Sequence, residues 1–226
     1  MKPQEKNTSN AQHETEKTAS SSVSQILPEA DGTASLAHPK KRASKALDMV
    51  CIALFAVIIA ACSWISVPGA VPFTLQTFGV FCAVGFLGGR RGTIAILLYI
   101  LLGAVGLPVF SNFTGGIGAL AGATGGYIVG FLFMGLIYWL ITALCGEKWW
   151  SMLLGMILGM AVCYAFGTAW FTVVYTHTKG AMTFLSAMGI CVIPFLWADA
   201  AKLALAFVLI RMLKKRIPIF ASDRRN

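Results

Sequence analysis

Charge is what this 226-residue chain has least of. Charged residues make up 12% of it, about half the ~25% of an ordinary soluble domain. No charged side chain occurs from Met49 to Gly89, and none from Gly92 to Gly146. A soluble fold would have to expose such stretches as one apolar patch, which excludes that class. Catalytic signatures are missing as well: the sequence has no H-E-x-x-H, no G-x-S-x-G and no G-x-x-x-x-G-K-[ST]. Without a phosphate-binding loop the chain has no means of its own to hydrolyse ATP. Nor do the six cysteines (Cys51, Cys62, Cys82, Cys145, Cys163 and Cys191) form any C-x-x-C pair. They therefore read as small core residues, with no disulfide framework or zinc site.

What is present is hydrophobic, 57% of the chain, in runs long enough for several helices of about 20 residues each. The fold class follows: an all-α integral membrane protein with six transmembrane helices. Breakers divide the apolar region into spans at about 46–66, 73–89, 93–107, 124–145, 150–174 and 194–212. A short interfacial helix is expected within 181–193. Residues 1–45 are polar and poor in large apolar side chains, so they read as a disordered cytoplasmic tail. The first strong apolar stretch, near Ala46, comes too late for a cleavable secretory signal. The membrane domain is placed at 46–213, with a basic cytoplasmic tail at 214–226.

The net charge of +9 does not mark a nucleic-acid binder, because the positive residues lie in loops and termini. If both termini are inside, the inner side holds seven basic residues of the N-terminal tail, Arg90, Arg91, Lys148 and the six from Arg211 onward. The outer side holds Lys179 alone. That asymmetry sets both termini in the cytoplasm. Small residues at four-residue spacing (Ala56 and Ala60; Gly122, Gly126 and Gly130; Gly155 and Gly159) suit close helix packing. Ala56 and Ala60 could instead face a protein partner.

Charge within a span is costly, about 2.5–3.5 kcal/mol per residue at the helix centre. The last span nevertheless carries Asp199 and Lys202, on one face at i, i+3. Pairing lowers that cost without explaining why the charges are there, which points to a ligand site. Polar and aromatic candidates at similar depth are Gln76, Asn112, Thr124, Tyr127, Tyr164 and Trp170. Together they would form an outward-facing pocket with a few polar anchors.

Several segments carry a family resemblance. Val71-Pro72-Phe73-Thr74-Leu75-Gln76-Thr77, Leu87-Gly88-Gly89-Arg90-Arg91-Gly92 and Leu107-Pro108-Val109-Phe110 resemble the BioY family, as do Gly122-Ala123-Thr124-Gly125-Gly126-Tyr127, Gly167-Thr168-Ala169-Trp170 and the stretch from Pro194 to Lys202. The resemblance covers about 46–213. It implies an S component of an energy-coupling-factor (ECF) transporter: a non-enzymatic, biotin-binding subunit in a prokaryotic plasma membrane. Biotin would be cargo, with no cofactor. The implied partners are a transmembrane coupling protein, met by Ala56 and Ala60, and ATPase subunits. The alternative is a stand-alone facilitator or secondary carrier. One departure is Trp197-Ala198-Asp199, where the family usually has Pro-Gly-Asp.

Overall fold

A computed structural model of the chain describes residues 40–67, 72–180 and 183–216, with the backbone alone at 40–44 and 179. The chain divides into two units, 1–41 and 42–226, and the helical architecture is that of the second. The expected disordered tail falls outside the described residues except at its end, where helix already begins at Lys40. The last residues of the basic tail, 217–226, lie outside them too.

Bilayer interiors offer backbone groups no water, so the apolar runs must satisfy their own hydrogen bonds as helices. They form α1 (Lys40–Trp64), α2 (Gln76–Ala104), α4 (Gly125–Cys145), α5 (Trp149–Lys179) and α7 (Ile193–Arg216), with the short helices α3 (Ile117–Ala121) and α6 (Phe184–Cys191) between them. The short helix expected within 181–193 is α6. A two-stranded hairpin not foreseen from sequence, β1 (Ser66–Val67) with β2 (Phe73–Thr74), pairs Ser66 with Thr74 and Val67 with Phe73.

Among the described residues five helices are long and apolar enough to cross a membrane, where six spans were expected. The expected second and third spans both lie in α2, which is broken at Gly88 (φ 81°, ψ 171°). The break is a reversal. Gln76 Nε2 donates to the Tyr99 hydroxyl at 2.9 Å, although the residues are 23 apart in sequence. A continuous helix would separate them by about 35 Å. The two arms, 76–87 and 89–104, therefore run back along each other. At Gly92 an added Cβ would lie 2.6 Å from the Val84 Cα, so the arms touch backbone to backbone.

Small residues set the other contacts. Gly130, Gly155 and Gly159 bring α4 and α5 together against Cys163, Tyr138 and Met134, and Gly85 receives Ile210 of α7. Ala56 and Ala60 likewise turn inward, at 1% and 6% exposure. This packing corrects the expectation that their face meets a partner protein: it lies in the chain's own core. Close by, Gly79 lets the first arm of α2 approach Ile59 and Cys62 of α1. The face of α1 that remains open carries Val50, Leu54 and Val57.

Two salt bridges tie together segments that the charge pattern assigned to the inner side. Arg91, just past the α2 reversal, meets Asp48 at 3.1 Å, and Lys214 meets Glu147 in the α4–α5 turn at 3.6 Å. Segments assigned to the outer side also meet. Ser63 Oγ donates to the Val109 carbonyl at 2.6 Å and Trp64 Nε1 to the Pro108 carbonyl at 2.9 Å.

The backbone at Gly88 lies in a region open essentially to glycine. Gly88→Ala is expected to destabilise the chain by about 1–3 kcal/mol, read as a lower midpoint in thermal unfolding of the detergent-solubilised protein. An unchanged midpoint would mean that the reversal does not depend on this backbone conformation.

Candidate functional site

Four elements bring polar groups to one place. The β1–β2 hairpin ends where α2 starts, so the Thr74 carbonyl and the Thr77 hydroxyl both face α7. Pro194 sits in the first turn of α7, where its missing N–H costs nothing, and the helix then presents Asp199 and Lys202 together. From α5 comes Tyr164, and from α4 comes Tyr127.

Asp199 is 4% exposed, yet its carboxylate is well supplied with donors. Lys202 Nζ donates to Oδ1 at 2.7 Å, Thr77 Oγ1 donates to Oδ1 at 2.8 Å, and the Tyr164 hydroxyl donates to Oδ2. Lys202 is matched in turn. Besides Asp199, its ammonium reaches the Thr74 carbonyl at 2.6 Å and Thr77 Oγ1 at 3.3 Å, which accounts for its three N–H donors. It also sits 4.0 Å from the centroid of the Phe73 ring, a cation–π contact that strengthens away from water. Phe73 stacks on Phe195 with 5.8 Å between centroids. The site carries two charges and no net charge.

Beside this network lies a partly open cavity that reaches in from the surface. Its polar lining comes from Thr74, Gln76, Thr77, Ser111, Thr124, Tyr127, Tyr164, Asp199 and Lys202. Its apolar lining includes Ile128, Phe131, Met134, Met160 and Phe195. Such a site suits a molecule that is largely apolar, with one compact group of donors and acceptors for the ion pair.

Six of the eight predicted ligand-site residues line this cavity: Asp199, Lys202, Gln76, Thr124, Tyr127 and Tyr164. Two of them are also engaged elsewhere, Gln76 with Tyr99 and the Tyr127 hydroxyl with Thr168 Oγ1 at 3.0 Å. The structure does not bring Asn112 or Trp170 to the lining. Asn112 accepts a bond from Ser66 Oγ at 3.0 Å in the loop between α2 and α3. The Trp170 indole donates to the Gly122 carbonyl at 3.0 Å and packs on Gly126, so it braces the glycine-rich segment. Sequence reasoning passed over Thr77, which joins Asp199 and Lys202 from more than 120 residues away. Its only sequence signal was the i, i+3 spacing from Thr74 in the Pro72–Thr77 motif. The lining residues Met134, Met160, Cys163 and Cys191 carry no signal that separates them from ordinary core.

Known proteins resemble this chain over most of its length. The profile of the BioY family matches residues 36–219. A biotin transporter BioY of Thermotoga maritima is 38% identical over 163 residues, covering 72% of this chain and 92% of that protein. A probable biotin transporter BioY of Pyrococcus horikoshii is 36% identical over 171 residues, 75% of this chain and 98% of its own length. Among solved structures, the S-component for biotin from an ECF-type ABC transporter superposes with a TM-score of 0.66 at 25% identity, covering 76% of this chain and 92% of that one.

The ion pair makes a stability prediction independent of any ligand. Asp199→Asn or Lys202→Met alone leaves one charge unmatched and should cost about 3–5 kcal/mol, whereas an apolar pair at both positions should recover most of it. Thermal unfolding in detergent without added ligand tests this. Single substitutions as mild as the double one would show that the two charges do not depend on each other.

Proposed function

This chain belongs to the BioY family, and from that premise we propose that it is the biotin-binding membrane subunit of an ECF-type transporter. It takes up biotin and carries it unchanged. The observation that carries the reading is the Asp199–Lys202 pair, with Thr77 and Tyr164, set into the wall of a mostly apolar cavity.

Biotin matches that division. Its ureido ring has two N–H donors and one carbonyl acceptor, while its thiophane ring and aliphatic chain are apolar. Asp199 accepts from a ureido N–H and Lys202 donates to the ureido carbonyl, each bond strengthened by charge. Phe131, Met134 and Met160 supply the apolar wall. The ligand's carboxylate lies toward Tyr127, Thr124 and the glycine-rich segment. Asn112 and Trp170 act from outside the cavity by holding that segment.

The chain crosses the plasma membrane of a prokaryotic cell six times, the two arms of α2 counting as separate passes, with both termini in the cytoplasm. The bridges Arg91–Asp48 and Lys214–Glu147 support this, since they join segments that would share the inner side. Energy for uptake comes from separate ATPase subunits through a membrane coupling protein; the likeness to the S-component of an ECF-type ABC transporter supports this, and uptake driven by ATP requires it, since the sequence holds no nucleotide-binding loop.

Calorimetry on the purified full chain, with desthiobiotin and lipoate as comparators, is expected to give one tight, selective biotin site. Asp199→Asn should weaken it, by about tenfold to a hundredfold for a bond to a charged group. A folded chain that does not bind biotin overturns the assignment. Co-purification with an ATPase supports the multi-subunit reading, and biotin uptake by the purified chain alone in vesicles overturns it.

A further inference from the structure

Biotin's ureido ring has two N–H groups, and Asp199 accounts for one of them. A second acceptor is at hand in Gln76, which lines the same cavity and is buried. Its carboxamide nitrogen donates to the Tyr99 hydroxyl at 2.9 Å, while its oxygen Oε1 has no hydrogen-bond partner among the described residues. A buried carboxamide oxygen left without a donor is costly. At the wall of a ligand cavity, the missing donor is one that a ligand brings.

Which end of the carboxamide is left over is decided outside the cavity, by the bonds behind it. Ser63 of α1 is fully buried and lies in hydrogen-bond contact with the Tyr99 hydroxyl. Its Oγ carries one proton, and the carbonyls of Ala60 and Val109, at 2.7 and 2.6 Å, can only accept it. Toward Tyr99 the serine therefore has only a lone pair to offer, so Tyr99 donates to it. Tyr99 then has no proton left for Gln76 and takes the nitrogen end of the carboxamide. The bonds run one way, from the first arm of α2 through the second arm to α1. Tyr99 is fully buried and is not part of the cavity lining. Its ring is held edge-on by Phe110, with 5.6 Å between centroids.

We propose that Gln76 Oε1 accepts from the second ureido N–H, and that Tyr99, from outside the cavity, is the positioning residue that holds the carboxamide in this accepting orientation. The inference rests on the biotin reading above. Asp199, Gln76 and Lys202 then answer the two donors and one acceptor of the ring one for one. A ligand with an acceptor where the second N–H belongs would set its lone pairs against Oε1 with no proton between them. Such a mismatch of buried polar groups is what separates close analogues. Selectivity at this position thus depends on a hydroxyl that the ligand never touches.

The test is calorimetry on the purified full chain with biotin and its two cyclic carbamate analogues, each with oxygen in place of one ureido N–H. Tyr99→Phe keeps the ring and frees the carboxamide to turn. It should bind biotin about two- to tenfold more weakly, the worth of one neutral hydrogen bond. It should also bind one of the two carbamates more tightly than the wild type does, because the Gln76 nitrogen can now face the ring oxygen. A tyrosine that only supported the fold would weaken all three ligands. Gln76→Met removes the carboxamide and leaves Tyr99 in place, and it keeps the test open if Tyr99→Phe does not fold. It should weaken biotin by a similar factor and reduce the preference for biotin over that same carbamate. Adding Tyr99→Phe to Gln76→Met should change neither further. Equal weakening of biotin and both carbamates by Tyr99→Phe, or wild-type affinity in Gln76→Met, would overturn the proposal while leaving the biotin assignment intact. A folded wild-type chain that does not bind biotin would instead overturn both.

Discussion

A buried carboxylate and a buried ammonium, three residues apart on one helix, impose the tightest constraint on this molecule. Leaving either without a partner would cost several kcal/mol, and a helix surrounded by lipid cannot satisfy them alone. The Thr74 carbonyl is available to Lys202 because a short hairpin precedes α2 and leaves that group outside a helical ladder. Thr77 is available because α2 starts just ahead of it. Tyr164 reaches Asp199 from α5. The position of the hairpin, the start of α2 and the approach of α5 to α7 are thus joined through two side chains.

The second constraint is the reversal at Gly88, on which the number of membrane passes depends. An unbroken α2 would leave five crossings and put the two termini on opposite sides. If the two arms of α2 count as separate passes, as proposed above, the termini share a side, which fits the distribution of lysine and arginine. Glycine is needed there for conformation at Gly88 and for contact at Gly92, where Val84 leaves no space for a Cβ. The hydrogen bond from Gln76 to Tyr99 then closes the far end of the pair of arms. The same bond holds down the first turn of α2, which carries Thr77 to Asp199.

Much of this was legible in the sequence because membrane constraints are coarse and strong. Uncharged runs give the helices, breakers give their ends, and a charge inside a span stands out at once. The Asp199–Lys202 pair and four further lining residues were found on those grounds. Thr77 was not, since its role arises from contact between segments more than 120 residues apart and a threonine at a helix start is ordinary. Apolar lining is equally silent: Met134 and Met160 have the same composition signal as any core methionine. The Ala56 and Ala60 spacing showed correctly that something packs closely. It could not say whether the neighbour belonged to this chain, and the inward turn of that face gives the answer.

A transporter must bind its cargo and then give it up, and a neutral pair of charges bears on both. Two opposite charges held by the protein's own hydroxyl and carbonyl groups need no ion to accompany the ligand. On the proposed binding mode, a ligand that bonds Asp199 or Lys202 shares them with Thr77, Tyr164 and the Thr74 carbonyl, to which they are already bonded. The net gain from each polar contact is then smaller than its gross strength, and selectivity rests on a molecule offering its donors and acceptor together. Tight binding has to come largely from the apolar wall, where burial is favourable in proportion to area. Release consequently calls for a change in that wall: parting Met134, Met160 and Phe131 on α4 and α5 removes affinity, while the ion pair keeps its internal partners.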